Sequence, residues 1–180
     1  ARDAFIHLDL PAGLTRYQTV RDIYRDSRGD VWFAMEYNGL FRMHHETGKT
    51  ESYVHRENDS CSLINNSVNV IFEDSRNRLW IGVDDGGLNL FNRSTNGFVH
   101  YTSEDGLPDN TIVGILEDGH GSLWLSSHGG LTRATIVREG AKPVFRFRNF
   151  DVQDGLQGQV FNRWAFFESS TGEMYFGGLN

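Results

Sequence analysis

One phrase recurs four times along the chain: a turn, an aromatic residue among aliphatic ones, then Gly-Leu. It reads Gly29-Asp30-Val31-Trp32-Phe33 to Asn38-Gly39-Leu40, then Asn77-Arg78-Leu79-Trp80-Ile81-Gly82 to Gly86-Gly87-Leu88. The third and fourth copies are Gly121-Ser122-Leu123-Trp124-Leu125 to Gly129-Gly130-Leu131 and Gly172-Glu173-Met174-Tyr175-Phe176-Gly177-Gly178-Leu179. Successive aromatic positions lie 48, 44 and 51 residues apart. A period of roughly 40–50 residues built from short strand-like runs predicts small sheets stacked around an axis.

Aligning the copies on the aromatic defines the unit. Six residues earlier stand Asp26, Asp74, Asp118 and, in the fourth copy, Ser169. An apolar strand A precedes each, as in Val70-Ile71-Phe72-Glu73. The Asp or Ser opens a tight turn by accepting hydrogen bonds from amides two residues on, and a Gly takes positive φ. Strand B carries Trp32, Trp80, Trp124 or Tyr175, which should pack between neighbouring units. A second turn, expected to hold two residues, is placed at Asn38-Gly39, Gly86-Gly87, Gly129-Gly130 and Gly177-Gly178. Strand D is read at Phe5–Leu8, Tyr53–Arg56, Phe98–Tyr101 and Phe147–Phe150. Each is followed by a crossing to the next strand A through Gly13-Leu14, Ser62-Leu63, Gly106-Leu107 or Gly155-Leu156.

Four antiparallel strands per unit make an all-β propeller blade. The repeats are bounded approximately at 15–56, 63–102, 107–151 and 156–180, the last truncated, with 1–14 forming the outer strand of a preceding blade. The fourth copy stops where its strand C should begin, so a ring closed through the first strand D would leave an unpaired edge, which native sheets avoid. The expectation is an arc of about four blades from a larger, seven-bladed ring. The opening Ala1-Arg2-Asp3-Ala4 lacks an initiator Met, and the chain is expected to be a piece of a longer protein whose targeting signal lies elsewhere.

Composition narrows the function classes. The net charge of −7 comes from interspersed acids and bases, which argues against nucleic acid or an anionic membrane as partner. Cys61 stands alone, so no intrachain disulfide can form. No P-loop, zinc spacing or Ser-His-Asp order is present. No metal or other cofactor is expected.

The pattern V-x-x-I-x-x-D-x-x-G-x-L-W-I-G-x-x-x-G-G-L-x-x-F, best represented by residues 68–91, closely resembles the two-component regulator propeller repeat. Departures are Trp32-Phe33-Ala34 in the first copy and Tyr175 in the fourth. Phe161-Asn162-Arg163-Trp164-Ala165 onward resembles the final repeat of such a sensor, just before a small β-sandwich domain. The resemblance implies the periplasmic or extracellular sensing region of an inner-membrane bacterial receptor, a hybrid two-component histidine kinase. It further implies a homodimer, a small ligand such as a glycan fragment, and a membrane helix and signalling domains elsewhere in the parent chain. The fragment itself is expected to be non-catalytic.

Most tempting side chains have a repeat-based explanation. His7, His55 and His100 share one place in successive blades, so they cannot converge on one metal, and each is expected to make a structural hydrogen bond. His44-His45 is expected in an exposed loop. Glu117-Asp118 matches Glu73-Asp74 and belongs to the turn, while Asn66 and Asn110 recur eight residues before the turn Asp and should cap a loop. The candidates for ligand contact lie on the face shared by the B–C and D–A loops: Tyr37, Arg163 and Trp164, which break the repeat, with His128 and the pair Asp84-Asp85. Asp84-Asp85 is expected to be solvated, with divalent-ion contact as the alternative. Two other readings stand beside the sensor. One is a streptogramin-lyase-like enzyme, since Gly29-Asp30-Val31-Trp32-Phe33-Ala34-Met35-Glu36 resembles a blade of that family. The other is a protein-interaction scaffold.

Overall fold

A computed structural model describes residues 19–179. Three four-stranded antiparallel sheets and one two-stranded sheet follow one another. Blade I holds β1 (Val20–Arg25), β2 (Val31–Met35), β3 (Gly39–Met43) and β4 (Thr50–Tyr53). Blade II holds β5 (Val68–Glu73), β6 (Leu79–Val83), β7 (Gly87–Asn92) and β8 (Gly97–Tyr101). Blade III holds β9 (Ile112–Glu117), β10 (Leu123–Ser127), β11 (Gly130–Arg138) and β12 (Val144–Phe150), and blade IV holds β13 (Phe161–Glu168) and β14 (Met174–Gly178). Strand order within each sheet follows chain order, with first strands of successive blades adjacent. The all-β propeller expected from the repeat is what the chain forms. The strand at Phe5–Leu8, His7 and Asn180 lie outside the described residues.

The turn aspartate does more than shape its turn. Asp74 Oδ1 accepts from the amides of Arg76 and Arg78, both at 3.0 Å, while Oδ2 accepts the Trp80 indole N–H at 2.8 Å. Asp26 holds Trp32 at 2.9 Å and Asp118 holds Trp124 at 3.0 Å in the same way. Each indole therefore enters the core with its one polar atom satisfied, as burial requires. Trp32 packs between blades I and II against Tyr53 and Phe91, and Trp80 between II and III against Tyr101 and Phe145. Ser169 keeps the turn by accepting from the Glu173 amide at 3.0 Å, but Tyr175 has no indole N–H to bond and is 57% exposed.

The turns differ from the sequence reading in two respects. Met35 pairs with Gly39 and Val83 with Gly87, so blades I and II have three-residue B–C loops; only His128-Gly129 is a two-residue one. Left-handed Tyr37 (φ 67°) and Asp85 (φ 49°) carry the longer loops, and Gly39, Gly87 and Gly130 open strand C. A Cβ on Gly87, itself at φ 64°, would lie 2.1 Å from the Tyr101 carbonyl oxygen, so only glycine fits. The second difference is Gly178. It lies inside β14, paired with Phe161, not in a turn. In the fourth copy the Gly pair follows the aromatic too closely, and strand B absorbs it.

Strand D of blade I also ends earlier than expected, at Tyr53. His55 continues beyond it through a lone bridge to Leu63. The crossings after blades II and III are compact devices. Thr102 and Asp151 cap single 3-10 turns, Ser103–Asp105 and Val152–Asp154, in capping boxes closed by Gly106 and Gly155 at positive φ.

Every first strand carries a bulge at one place. Val20 pairs with Met35 and Asp22 with Ala34, which leaves Arg21 without an opposite residue. Asn69 and Val113 are left over identically in β5 and β9. In β13 the interruption runs from Phe161, opposite Gly178, to Phe166, opposite Phe176, so residues 162–165 loop out of the ladder. A bulge re-aims the side chain it frees. In blades I and II it frees Arg21 and Asn69, whereas Val113 of blade III is buried with Leu131 and Phe161.

Candidate functional site

Arg21 and Asn69 meet, joined by residues from the interruption in β13. Arg21 Nη1 donates to Asn69 Oδ1 at 2.6 Å and to Asp84 Oδ2 at 2.9 Å, and its Nη2 donates to Glu36 Oε1 at 2.7 Å. From blade IV, Arg163 Nε reaches Asn69 Oδ1 at 2.8 Å, and Arg163 Nη2 reaches both Asp84 oxygens at 2.8 and 2.9 Å. Asn69 Nδ2 closes the network on Asp84 Oδ1 at 2.7 Å and on the Ile112 carbonyl at 2.9 Å. Trp164, at φ 62°, anchors its indole N–H on the Arg21 carbonyl at 2.5 Å yet remains 62% exposed. Thr19, Arg21, Glu36, Asn162, Arg163 and Trp164 line a cavity of about 370 Å³ there.

The electrostatics are self-contained. Two guanidinium groups and two carboxylates alternate, and the amide of Asn69 bridges them. Burial pushes the Asp84 carboxyl up, but hydrogen bonds from Asn69, Arg163 and Arg21 outweigh it and hold the group below its usual range. Glu36 is held low chiefly by its hydrogen bond from Arg21. Among the described residues no cluster of three or more His, Cys, Asp or Glu side chains is placed to hold a metal ion.

The sequence candidates divide clearly. Asp84, Arg163 and Trp164 come together at the axis. Asp84 is not the solvated group expected; its side chain is 20% exposed and joined to both arginines. Asp85 and His128 stay outside this cluster, exposed at the tips of the B–C loops, with the Asp85 amide donating to Thr111 Oγ1 at 3.3 Å, while Tyr37, equally exposed, touches it through a side-chain hydrogen bond to Glu36. Among the histidines, His55 Nδ1 lies 2.8 Å from the Leu63 carbonyl and His100 Nδ1 lies 2.7 Å from Asn89 Oδ1, both local structural contacts. His44 is less exposed than its loop implied, with Nε2 at 3.2 Å from Glu51.

The sequence reading missed Arg21 and Asn69, and placed Glu36 on the loop face without singling it out. A signal existed: five residues before the turn Asp or Ser stand Arg21, Asn69, Val113 and Trp164, the one strand-A position that differs in chemical kind in every blade. Glu36, Asp84 and His128 form a second such series, ten residues after the turn Asp.

Comparison with known proteins agrees with the repeat. The family model of the two component regulator propeller matches residues 62–85 and 106–129, the run from crossing to strand B in blades II and III. These are two-component regulator propeller repeats. A histidine kinase of Formosa agariphila is 27% identical over 82% of this chain and 14% of its own length. The extracellular domain of a B. thetaiotaomicron hybrid two component system superposes with a TM-score of 0.69 at 27% identity, over 88% of this chain and 22% of that one. The propeller chain thus spans under a quarter of either relative. Virginiamycin B lyase from Staphylococcus aureus shares the fold, with a TM-score of 0.63 at 18% identity over 92% of this chain and 51% of that one.

Proposed function

We propose that this chain is part of the extracytoplasmic, non-catalytic sensing propeller of a dimeric two-component receptor, and that the axial cavity takes a small neutral carbohydrate. The observation that carries the ligand reading is Trp164: an indole fixed through its N–H, with most of its surface open beside polar side chains. A fixed aromatic face stacks on the C–H face of a sugar ring, while Glu36, Asn162 and Arg163 offer partners for hydroxyl groups. Neutrality follows from the charge count. Both arginines already pair with carboxylates, so an anionic ligand would have to displace one. Contact with blades I and IV, whose arginines are tied to Asn69 and Asp84 of blade II, gives a ligand a route to alter how the blades sit, which is what coupling to a signalling domain needs.

Isothermal titration with a panel of neutral and uronic-acid oligosaccharides tests this. We expect a neutral member to bind, and Trp164→Ala to weaken it at least about tenfold without lowering the unfolding temperature. A panel without binding, a uronic acid as the best ligand, or full affinity in Trp164→Ala would each count against the reading.

A further inference from the structure

Blades II and III each have a neighbour on both sides, yet their outer edges are finished differently. In blade II the crossing that arrives from blade I, residues 54–67, runs along β8: the Phe98 amide donates to the Cys61 carbonyl at 2.7 Å, and His100 Nε2 lies 3.2 Å from the Ser60 carbonyl. In blade III the arriving crossing is shorter, residues 102–111, and folds into the capped 3-10 turn at Ser103–Asp105. Its hydrogen bond to β12 comes from a side chain, Asn149 Nδ2 donating to the Gly106 carbonyl at 3.1 Å.

Register identifies the backbone that this leaves open. Phe98 stands opposite Phe91, and Tyr101 opposite Leu88; in blade III the same places are taken by Phe147 opposite Ala134 and Phe150 opposite Leu131. The Phe147 amide therefore points outward as the Phe98 amide does, but no acceptor meets it among the described residues. In an antiparallel strand the carbonyl of a residue shares the direction of its amide, and alternate residues repeat it, so Phe145 and Asn149 also turn their backbone groups outward.

The side chains along this edge are basic and unpaired. Arg146 and Arg148 are exposed, as is Arg138 at the far end of the hairpin. None of the three has a carboxylate within ion-pair distance among the described residues, in a chain whose net charge is −7. The nearby acids are engaged elsewhere: Glu139 with Arg78 at 3.0 Å, Asp118 with Arg133 at 3.2 Å and Asp105 with Lys142 at 3.1 Å. On the other face of the strand, Tyr101, Val144, Phe145 and Phe147 line a cavity of about 340 Å³ together with Arg138 and Lys142.

We propose that the outer edge of β12 accepts an extended acidic segment of another protein as a fifth strand of blade III. Its carboxylates would alternate beside Arg146 and Arg148, and its intervening apolar side chains would lie beside Phe145 and Phe147. Charge complementarity names the occupant. A second copy paired through the same edge would set Arg146 against Arg148, and like charges directly opposite repel. An anionic glycan would meet the arginines but leave the outward amides and carbonyls without a ladder. The surface lies at the rim of the propeller, and the proposal is independent of the axial carbohydrate reading.

The probe is a capped, fluorescein-labelled peptide of alternating glutamate and valine, as long as β12, titrated into the intact chain. We expect saturable binding by anisotropy, with hydrogen exchange at the Phe147 amide slowed at least about tenfold by the bound peptide. Arg146→Glu combined with Arg148→Glu should weaken binding at least about tenfold and transfer it to a peptide with lysine in place of glutamate. Should that variant fail to fold, the peptide itself decides. N-methylation of every second residue removes the donors from one side of the peptide strand only, so one of the two alternately methylated peptides should keep its affinity and the other lose it. Equal affinities of the two would show attraction of charge without a strand and overturn the proposal. So would equal binding of the lysine peptide to the native chain, or no binding of the glutamate peptide. Phe147 protection that rises with protein concentration alone would assign the edge to self-pairing instead.

Discussion

Two features in the same blades behave in opposite ways. The second-strand staple is the same bond three times over: Asp26 to Trp32, Asp74 to Trp80, and Asp118 to Trp124. The first-strand bulge leaves over Arg21, Asn69 and Val113 in turn, and the longer interruption of β13 presents Trp164. A blade must bury an aromatic against its neighbour, and one solution serves every seam. Nothing in blade packing demands a particular side chain at the axis. Repetition therefore marks what holds the blades together, and departure from it marks what this propeller does with its centre.

The largest effect expected from this contrast sets one tryptophan against another. Trp80→Ala empties a site with no solvent exposure between blades II and III and leaves Asp74 without its indole partner. Loss of about 3–5 kcal/mol is expected in denaturant unfolding. Trp164→Ala removes a mostly exposed ring and should stay within about 0.5 kcal/mol of the wild-type stability. Similar losses at the two positions would end the distinction between scaffold and site.

An intermediate effect is expected at the axial network. Asp84→Ala leaves Arg21 and Arg163 facing each other without the carboxylate between them. Full burial would make this a severe loss, but solvent reaches the pair, so about 1–3 kcal/mol is expected at pH 7. The pH dependence carries a definite sign. The folded Asp84 carboxyl titrates below its unfolded value, so its stabilisation is present above about pH 4 and fades as the pH falls through the folded value. Urea unfolding of wild type and variant at pH 7 and pH 3 should therefore show the gap narrowing on acidification.

The scaffold was legible in the sequence because it repeats with constant spacing: Asp74, Trp80 and Gly87 identify their own partners once three copies are aligned. Gly178 was misread because the motif resembles a turn by composition, whereas its distance from Tyr175 keeps it in the strand. The axial site was half legible. Arg163 and Trp164 stood out by breaking the pattern, but Arg21 and Asn69 sit in the middle of ordinary-looking strands. A bulge has no residue signature of its own, and a side chain's face in a strand changes with a single inserted residue. Alternation alone could not bring Arg21 and Asp84 together, although they lie 63 positions apart and bond directly.

Asp22, the residue next to the first bulge, gives the smallest and most diagnostic effect. Its carboxylate accepts from the Ile71 amide at 2.8 Å across the seam to blade II. Burial raises its pKa, with the Ile71 and Ile23 amides only partly offsetting that push. A raised value means the charge is tolerated, not wanted: stability is greatest with the group protonated and declines as the pH rises through the folded value. Asn at this position keeps an oxygen acceptor for Ile71 and carries no charge. Asp22→Asn is therefore expected to gain about 0.5–1 kcal/mol at pH 7, with the gain vanishing below about pH 4. Asp22 and Asp84 should thus respond to acid in opposite senses, although the axial network and the seam beside it share strand β1. If Asp22→Asn destabilises at neutral pH, the charge on Asp22 works with its neighbours, and the division between seam and axis must be redrawn at that residue.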